Sequence, residues 1–151
     1  MIIDSAEKFV ASNEGCKLTA YLDPAGVPTI GYGTTRVNKL PVKLGMTITL
    51  QQAEECLQSD CDNIKIDLFH ILTVDLKNNQ VDALVDFCYE LGINAFHGST
   101  LYKVIENDMT VTEDLFTRWD KIHKDGQLIE VPGIKSRRER EFLLFSKSEG
   151  A

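Results

Sequence analysis

The spacing of apolar residues at the start of the chain predicts an amphipathic helix. Asp4 and Glu7 have the spacing of a capping box, and Gly15 is the kind of residue that follows the last turn of a helix. The helix is therefore expected over 4–14, which places Glu14 at its C-terminal end. The residues of its inward stripe lie at helical intervals: Ile2, Ala6, Phe9, Val10 and Asn13.

A second apolar repeat predicts a much longer helix over 50–72. Thr49 and Gln52 form another capping box, and apolar residues then recur every three or four positions. At ~1.5 Å per residue this helix would be about 34 Å long, enough to connect two lobes. Further helices are predicted over the following ranges: 78–91, 99–107, 112–124 and 136–146.

The stretch between the first two helices has the signature of a β-hairpin. Asp23-Pro24-Ala25-Gly26 is a strong turn sequence, and runs typical of short strands flank it at 19–22 and 27–33. Pro28 confines the second strand to an edge or irregular position. The hairpin is the main β signal in a chain that otherwise reads as helical.

These elements predict an α+β fold that is mainly helical. We expect one domain over 1–151, long enough to bury roughly 70% of its unfolded surface without a disulfide or a metal. Its lobes are predicted as a β-containing active-site lobe over 14–50, the connecting helix over 50–72, and an all-helical lobe over 73–151. The N-terminal helix is expected to pack with the helical lobe, and the active-site cleft to lie between the lobes.

Two carboxylates near the hairpin are candidates for acid and base chemistry. Glu14 lies near the negative end of a helix dipole, which favours its protonated form, and turn amides favour the ionised form of Asp23. A protonated acid facing an ionised carboxylate is what glycosidic hydrolysis requires. Thr29 could then orient an attacking water. Each residue alone is more often a helix end, a turn former or an ordinary strand residue.

The returning strand suggests where a sugar would lie. Side chains of a strand alternate in direction, so Thr29, Gly31 and Gly33 are expected on one face, with Ile30 and Tyr32 on the other. A face with one hydroxyl and two glycines leaves room for a bulky group. We therefore predict that Gly31 lines a substrate site.

Charge and composition exclude several classes of protein. The net charge of −7 and the pI near 4.9 argue against nucleic acid as a partner. The longest apolar run, 142–145, is far shorter than the ~20 residues of a membrane-spanning helix, and no secretory signal is recognisable. The spacing of the four cysteines does not fit a zinc site, so we predict reduced thiols in a cytoplasm, with a disulfide at Cys16 as a lesser alternative.

Several other residues have two interpretations each. Arg137 or Arg138 could pair with Glu14 or with peptide carboxylates of a substrate, or Arg137 could pair with Glu141 on a solvated helix face. Ser99 is expected to cap a helix. The remaining candidates are predicted to have no catalytic role: Trp119 in the core, and His70, His97 and His123 as ordinary residues.

The spacing of the candidate residues resembles that of a known family. Glu14, Asp23 and Thr29, followed by Ile30-Gly31-Tyr32-Gly33, resemble the motif of the phage-type lysozymes, glycoside hydrolase family 24, which includes the T-even and lambdoid endolysins. The likeness covers nearly the whole chain. It continues through these segments: 80–87, 91–92, 95–96, 99–101, Trp119 and 131–141.

The resemblance implies an N-acetylmuramidase, a glycosidase that cleaves the β-1,4 bond between N-acetylmuramic acid and N-acetylglucosamine in peptidoglycan. It implies Glu14 as the acid, Asp23 as the carboxylate that holds or activates water, and Thr29 as the third member of the site. Tyr89 and Ser99 match positions near the substrate. No cofactor or metal is implied, and the expected course is inverting.

The resemblance also implies a biological setting. We expect a monomeric endolysin that stays in the host cytoplasm until a holin opens the membrane, without stable membrane insertion. The alternatives are a tail-associated or toxin-borne muramidase and a non-catalytic wall-binding protein on the same fold. Two departures from the family pattern bear on the site: Thr34 stands where relatives often have His, and Tyr89-Glu90 replaces Phe-Asn.

Overall fold

The protein is described from a computed structural model that covers residues 4–124 and 126–148. The chain forms two compact units. One comprises the residues up to Asp62 together with Ile122–Ile129, and the other comprises Asn63–Lys121 together with the residues from Glu130 onward.

Helices account for most of the described residues, and short strands pair two by two. The helices are α1 (Ser5–Glu14), α2 (Leu50–Ile71), α3 (Asn78–Leu91), α4 (Ile93–His97), α5 (Thr100–Asn107), α6 (Glu113–Thr117) and α7 (Pro132–Phe145). The strands are β1 (Lys17–Leu22), β2 (Pro28–Gly31), β3 (Arg36–Val37), β4 (Leu40–Pro41), β5 (Lys121–Lys124) and β6 (Gln127–Glu130). The pairs are β1 with β2, β3 with β4, and β5 with β6.

The predicted caps set the bounds of the first two helices. Asp4 caps α1 by accepting a hydrogen bond from the amide of Ala6 at 2.8 Å, and Gly15 ends the helix at φ 69°. At the start of α2, Thr49 Oγ1 accepts from the amide of Gln52 at 3.1 Å and Gln52 Oε1 accepts from that of Thr49 at 2.8 Å. Both capping boxes are confirmed.

The predicted hairpin is confirmed as β1 and β2. Asp23 and Gly26 close its turn, because the amide of Gly26 donates to the carbonyl of Asp23 at 2.9 Å. Tyr21 lies opposite Thr29 in the register of the two strands. This pairing fixes the positions of Thr29 and Asp23 on one small β unit.

A small apolar cluster supports the hairpin within the first unit. Ile30 of β2 and Ala53 of α2 are fully buried in it, together with Val42 and Ile48. Tyr32 and Ala20 pack against its edge. The hairpin is therefore held against the first turns of α2.

Aromatic residues form the core of the second unit. The ring of Phe87 makes edge-to-face contacts with Phe96, Phe116 and Trp119, with centroids 5.9 to 6.0 Å apart. Phe87, Phe96 and Phe116 are fully buried. The prediction that Trp119 packs against apolar residues is confirmed by its contact with Phe87.

The helix predicted over 112–124 is wrong beyond residue 117. Helix α6 ends at Thr117, and the chain continues into the hairpin of β5 and β6. The sequence carried a signal for this hairpin, since Asp-Gly dipeptides are typical of tight turns and Gly126 has φ 75°. The hairpin adds a β element to a stretch predicted to be helical throughout.

Other bounds differ by smaller amounts. Helix α7 begins at Pro132 rather than at 136, because proline fits the first turn of a helix, where its missing N–H is not needed. The short elements α4, β3 and β4 were not predicted. In the first unit, Asn38 and Lys39 adopt positive φ in the turn between β3 and β4.

The cysteines and the helices bear on two further predictions. Cys61 and Cys88 are buried, Cys56 is partly buried and Cys16 is exposed. Within 4–124 and 126–148, no disulfide forms and no three His, Cys, Asp or Glu side chains are grouped so that they could hold a metal ion. Across these same residues, no helix is both long and apolar enough to cross a bilayer.

Candidate active site

The carboxylate of Glu14 lies directly against the backbone of Gly33. Glu14 is the last residue of α1, and a Cβ atom built on Gly33 would lie 2.6 Å from Glu14 Oε1 and 2.9 Å from its Cδ. Real side chains do not tolerate such distances, so only glycine at position 33 allows Glu14 to occupy this place. Gly33 also has φ 82°, a conformation that favours glycine.

Asp23 is fixed by the turn that it opens. Its Oδ1 accepts hydrogen bonds from the amides of Ala25 at 2.9 Å and Val27 at 2.8 Å. Among the described residues, no hydrogen bond reaches Oδ2. One carboxylate oxygen thus holds the side chain in place, while the other remains available to an external group.

The side chain of Thr29 is also fixed by a hydrogen bond to Val27. Its side chain is buried, and its Oγ1 donates to the carbonyl of Val27 at 2.8 Å. A hydroxyl has one proton and two lone pairs, so Oγ1 acts as an acceptor toward any further partner. Val27 therefore orients both Asp23, through its amide, and Thr29, through its carbonyl.

Sequence reasoning missed Tyr21, which belongs to this cluster. Tyr21 faces Thr29 across the strand pair, and Lys17 Nζ lies 4.4 Å from the centroid of its ring. Partial burial raises the pKa of Tyr21, and the negative charges of Glu14 and Asp23 raise it further. The charges of both carboxylates therefore favour the protonated phenol, and Tyr21 keeps its proton.

The interpretation of Gly31 as open space for a sugar is wrong. A Cβ on Gly31 would lie 3.3 Å from the Cβ of Ala53, so α2 fills the space beside it. The strand also stops alternating here because Gly31 has φ 64°. Gly31 allows β2 to pack closely on α2. Gly33 makes room for the carboxylate of Glu14 rather than for substrate.

Thr34 stands where relatives often have histidine, and its hydroxyl forms a hydrogen bond with a residue of α2. Its Oγ1 donates to Asp60 Oδ2 of α2 at 3.3 Å. Burial raises the pKa of Asp60 to about 6, although the hydrogen bond from Thr34 lowers it in part. This contact ties the segment that follows Gly33 to α2.

The predicted substrate residues Tyr89 and Ser99 lie in the second unit. Ser99 caps α5: its Oγ accepts from the amide of Tyr102 at 3.1 Å and donates to the carbonyl of Phe96 at 2.6 Å. The predicted capping role is confirmed, and Ser99 is almost fully buried. Tyr89 is half-buried near the end of α3, and its contact with a sugar stays a prediction.

The two arginines are buried, so the predicted solvated helix face is wrong. Arg137 forms a bidentate pair with Asp86, at 2.9 and 2.8 Å, and Arg138 pairs with Glu141 at 2.8 Å. Glu90, expected as an added carboxylate, lies 3.3 Å from Arg137 and 2.8 Å from Arg138. The Arg137–Glu141 pairing is therefore replaced by Arg138–Glu141, and a pairing of either arginine with Glu14 stays a prediction.

The two buried carboxyl groups of this network, Asp86 and Glu141, have pKa values shifted in opposite directions. Burial raises the pKa of Glu141, and its hydrogen bond to Asp86 raises it further. Burial opposes ionisation of Asp86, but hydrogen bonds from Glu141 and Arg137 outweigh it and lower the pKa of Asp86. Glu141 therefore favours its protonated form and Asp86 its ionised form, which pairs with Arg137.

The contact between Glu14 and Gly33 gives the first prediction. Gly33→Ala should lower kcat by about 10- to 100-fold, because the added methyl group displaces the Glu14 carboxylate and small misplacements of catalytic groups are costly. The measurement is the initial rate of peptidoglycan cleavage at saturating substrate.

Gly45→Ala is the matched control for this substitution. Gly45 shares the positive φ, at 94°, but a Cβ there meets nothing within 4 Å. Both variants should lose about 1–2 kcal/mol of stability from backbone strain. If the two variants retain the same kcat, Gly33 does not position Glu14.

The Asp60 carboxyl gives a prediction about pH. In the unfolded chain it titrates near 3.8 and in the folded chain near 6, so the folded state binds the proton more tightly. Its contribution to stability is therefore greatest at low pH and is lost as the pH rises from about 4 to about 6. Asp60→Asn should raise the free energy of unfolding by about 1–3 kcal/mol near pH 7.5 and leave it unchanged near pH 4. Denaturant titrations at both pH values test this, and equal effects would contradict it.

Comparison with known proteins identifies the family of this chain. The sequence profile of the phage lysozyme family matches residues 11–141, a range that contains Glu14, Asp23 and Thr29. The chain belongs to the phage lysozyme family. The family predicted from the motif spacing is therefore confirmed, and so is the mainly helical α+β fold.

Individual relatives agree with this membership. The endolysin of Salmonella phage P22 is 37% identical over 134 residues, which are 87% of this chain and 88% of that protein. The endolysin of Acyrthosiphon pisum secondary endosymbiont phage 1 is 34% identical over 89% of this chain and 90% of its own. The structure of the endolysin from Escherichia coli O157:H7 phage FAHEc1 superposes with a TM-score of 0.86 at 34% identity, covering 97% of this chain and 94% of that one.

Proposed function

We propose that Glu14, Asp23 and Thr29 of this phage lysozyme together hydrolyse the β-1,4 bond between N-acetylmuramic acid and N-acetylglucosamine in peptidoglycan. One observation carries the proposal. The Glu14 carboxylate rests on Gly33, at the end of the same β unit that fixes Asp23 and Thr29 through Val27. The same β unit thus positions the general acid, Glu14, and the two residues that bind the attacking water, Asp23 and Thr29.

Each residue has a distinct task in the reaction. Glu14 protonates the glycosidic oxygen as the bond to the anomeric carbon breaks. Asp23 Oδ2, the oxygen without an amide partner among the described residues, takes a proton from the attacking water. Thr29 Oγ1 accepts the water's second hydrogen bond, since its own proton goes to Val27. The reaction uses acid and base chemistry alone, without a metal or a cofactor.

The proposed course inverts the anomeric configuration. A water held by Asp23 and Thr29 attacks from the face opposite the leaving oxygen, in a single displacement. Such a mechanism requires about 6.5–9.5 Å between the two carboxyl groups, so that the water fits between them. The departing chain then leaves a reducing N-acetylmuramic acid in the α configuration.

The endolysin relatives support a proposal about the biological role. We propose that the protein acts as a monomer on the host wall and is held in the host cytoplasm until a holin releases it. The net charge of −7 argues against nucleic acid as a partner. The resulting damage to the wall lyses the host cell.

Digestion of purified peptidoglycan tests this function. Mass spectrometry should detect muropeptides that end in reducing N-acetylmuramic acid. Fragments ending in 1,6-anhydro-N-acetylmuramic acid would instead identify a lytic transglycosylase. Binding to the wall without any cleavage would identify a non-catalytic wall-binding protein.

A further inference from the structure

The proposed mechanism leaves one hydrogen bond of the attacking water unassigned. Asp23 is ionised in that mechanism, and the proton of Thr29 is committed to Val27. Both residues therefore accept hydrogen bonds from the water and neither donates one. The water uses one lone pair in the attack, and its other lone pair requires a donor to fix its orientation.

Tyr21 is a donor in the right place. It lies directly opposite Thr29 in the strand register and two residues before Asp23. Directly paired residues of an antiparallel sheet extend their side chains from the same face. The phenol therefore shares a face with the Thr29 hydroxyl.

The hydroxyl of Tyr21 is also available. Within 4–124 and 126–148, no hydrogen bond to it is formed, whereas the hydroxyl of Tyr102 donates to the carbonyl of Ile71 at 2.6 Å. The ring of Tyr21 is half-buried, and Lys17 Nζ lies 4.4 Å from its centroid. A cation over the face of the ring is attracted to it and favours this orientation of Tyr21.

We infer that the Tyr21 hydroxyl donates a hydrogen bond to the water held by Asp23 and Thr29, which makes Tyr21 a positioning residue of the hydrolysis. This inference rests on the proposed function. During the reaction the water oxygen bonds to the anomeric carbon, one of its protons passes to Asp23, and the Glu14 proton passes to the leaving oxygen. Tyr21 keeps its own proton throughout, and the raised pKa of its phenol is consistent with that role.

The substitution Tyr21→Phe tests the inference on soluble, uncross-linked glycan chains. Loss of one positioning hydrogen bond should lower kcat about tenfold and leave KM within about twofold, because the water and not the glycan loses its contact. An unchanged kcat would overturn the inference. A rise in KM at constant kcat would also overturn it, since the hydroxyl would then bind the sugar.

Two further variants keep the test decisive. Tyr102→Phe removes a hydroxyl that has a structural partner in the second unit, and it should lower the melting temperature without changing kcat. Lys17→Gln should lower kcat about two- to threefold by loosening the ring. This variant decides the matter if Tyr21→Phe does not fold, and an unchanged kcat in Lys17→Gln would then overturn the inference.

Digestion of peptidoglycan by the wild type distinguishes a failure of this inference from a failure of the proposed function on which it rests. If the wild type releases no reducing ends, the proposed function itself fails. If the wild type cleaves and Tyr21→Phe cleaves equally well, only the role of Tyr21 fails.

Discussion

Replacing Glu14 with glutamine should lower kcat at least about 100-fold. A positioned general acid contributes about 10²- to 10⁴-fold to the rate, and glutamine has nearly the same shape but no proton to give. The side chain should still fit against Gly33, because the contact there is steric. The loss should therefore appear in kcat, with little change in KM or in melting temperature. Turbidity loss of purified peptidoglycan gives the rates.

Glu55→Gln is the matched control for this substitution. Glu55 is exposed on α2, and its Oε1 accepts a hydrogen bond from Gln51 at 3.1 Å, which a glutamine oxygen can also accept. The same change of charge at this position should leave kcat unaffected. A folded Glu14→Gln protein with wild-type kcat would show that another group supplies the proton.

The second large effect is a lower free energy of unfolding when methionine replaces Arg138. Its side chain is fully buried, and its guanidinium lies 2.8 Å from both Glu90 and Glu141 and 5.3 Å from the ring of Phe87. Arg138→Met leaves the fully buried Glu141 without the guanidinium that it contacts, and it leaves Glu90 with only its longer contact to Arg137. Breaking a buried ion pair in this way costs about 3–5 kcal/mol.

Thermal unfolding measures this effect. For a chain of this length, the loss corresponds to a melting temperature lower by about 6–20 °C. Arg118→Met is the control, because Arg118 pairs with Asp114 at 2.7 Å but about half of its side chain is exposed. Exposed pairs contribute about 0–1 kcal/mol. Similar losses in both variants would contradict a stabilising role for the buried contacts of Arg138.

Much of the fold could be predicted because its signals are local. The capping boxes at Asp4 and Thr49 and the turn at Asp23 are built from residues three or fewer positions apart. Helix α3 has the predicted bounds, because its apolar repeat ends at a glycine, Gly92, with φ 90°. Such features depend little on the rest of the chain.

The features that could not be predicted depend on contacts between distant parts of the chain. Gly31 looked like open space, but its missing Cβ faces Ala53, and that contact requires α2 to be in place. The pairing of Arg137 with Asp86 joins residues 51 positions apart. Helical spacing alone pointed to Glu141 as the partner of Arg137.

The candidate site was predicted as a set of residues and not as an arrangement. The spacing of Glu14, Asp23 and Thr29 identified the family, but it could not reveal that Val27 fixes two of them. It also gave no reason to select Tyr21, because a tyrosine in a strand is ordinary. Only the register with Thr29 gives that residue a place in the mechanism.

The anomeric configuration of the first product tests the central claim most directly. Nuclear magnetic resonance of soluble glycan chains, recorded within the first turnovers, distinguishes α from β reducing ends before they interconvert. The roles given to Glu14, Asp23 and Thr29 predict N-acetylmuramic acid that appears first as the α anomer. A β anomer would mean a covalent intermediate and would contradict a water held by Asp23 and Thr29.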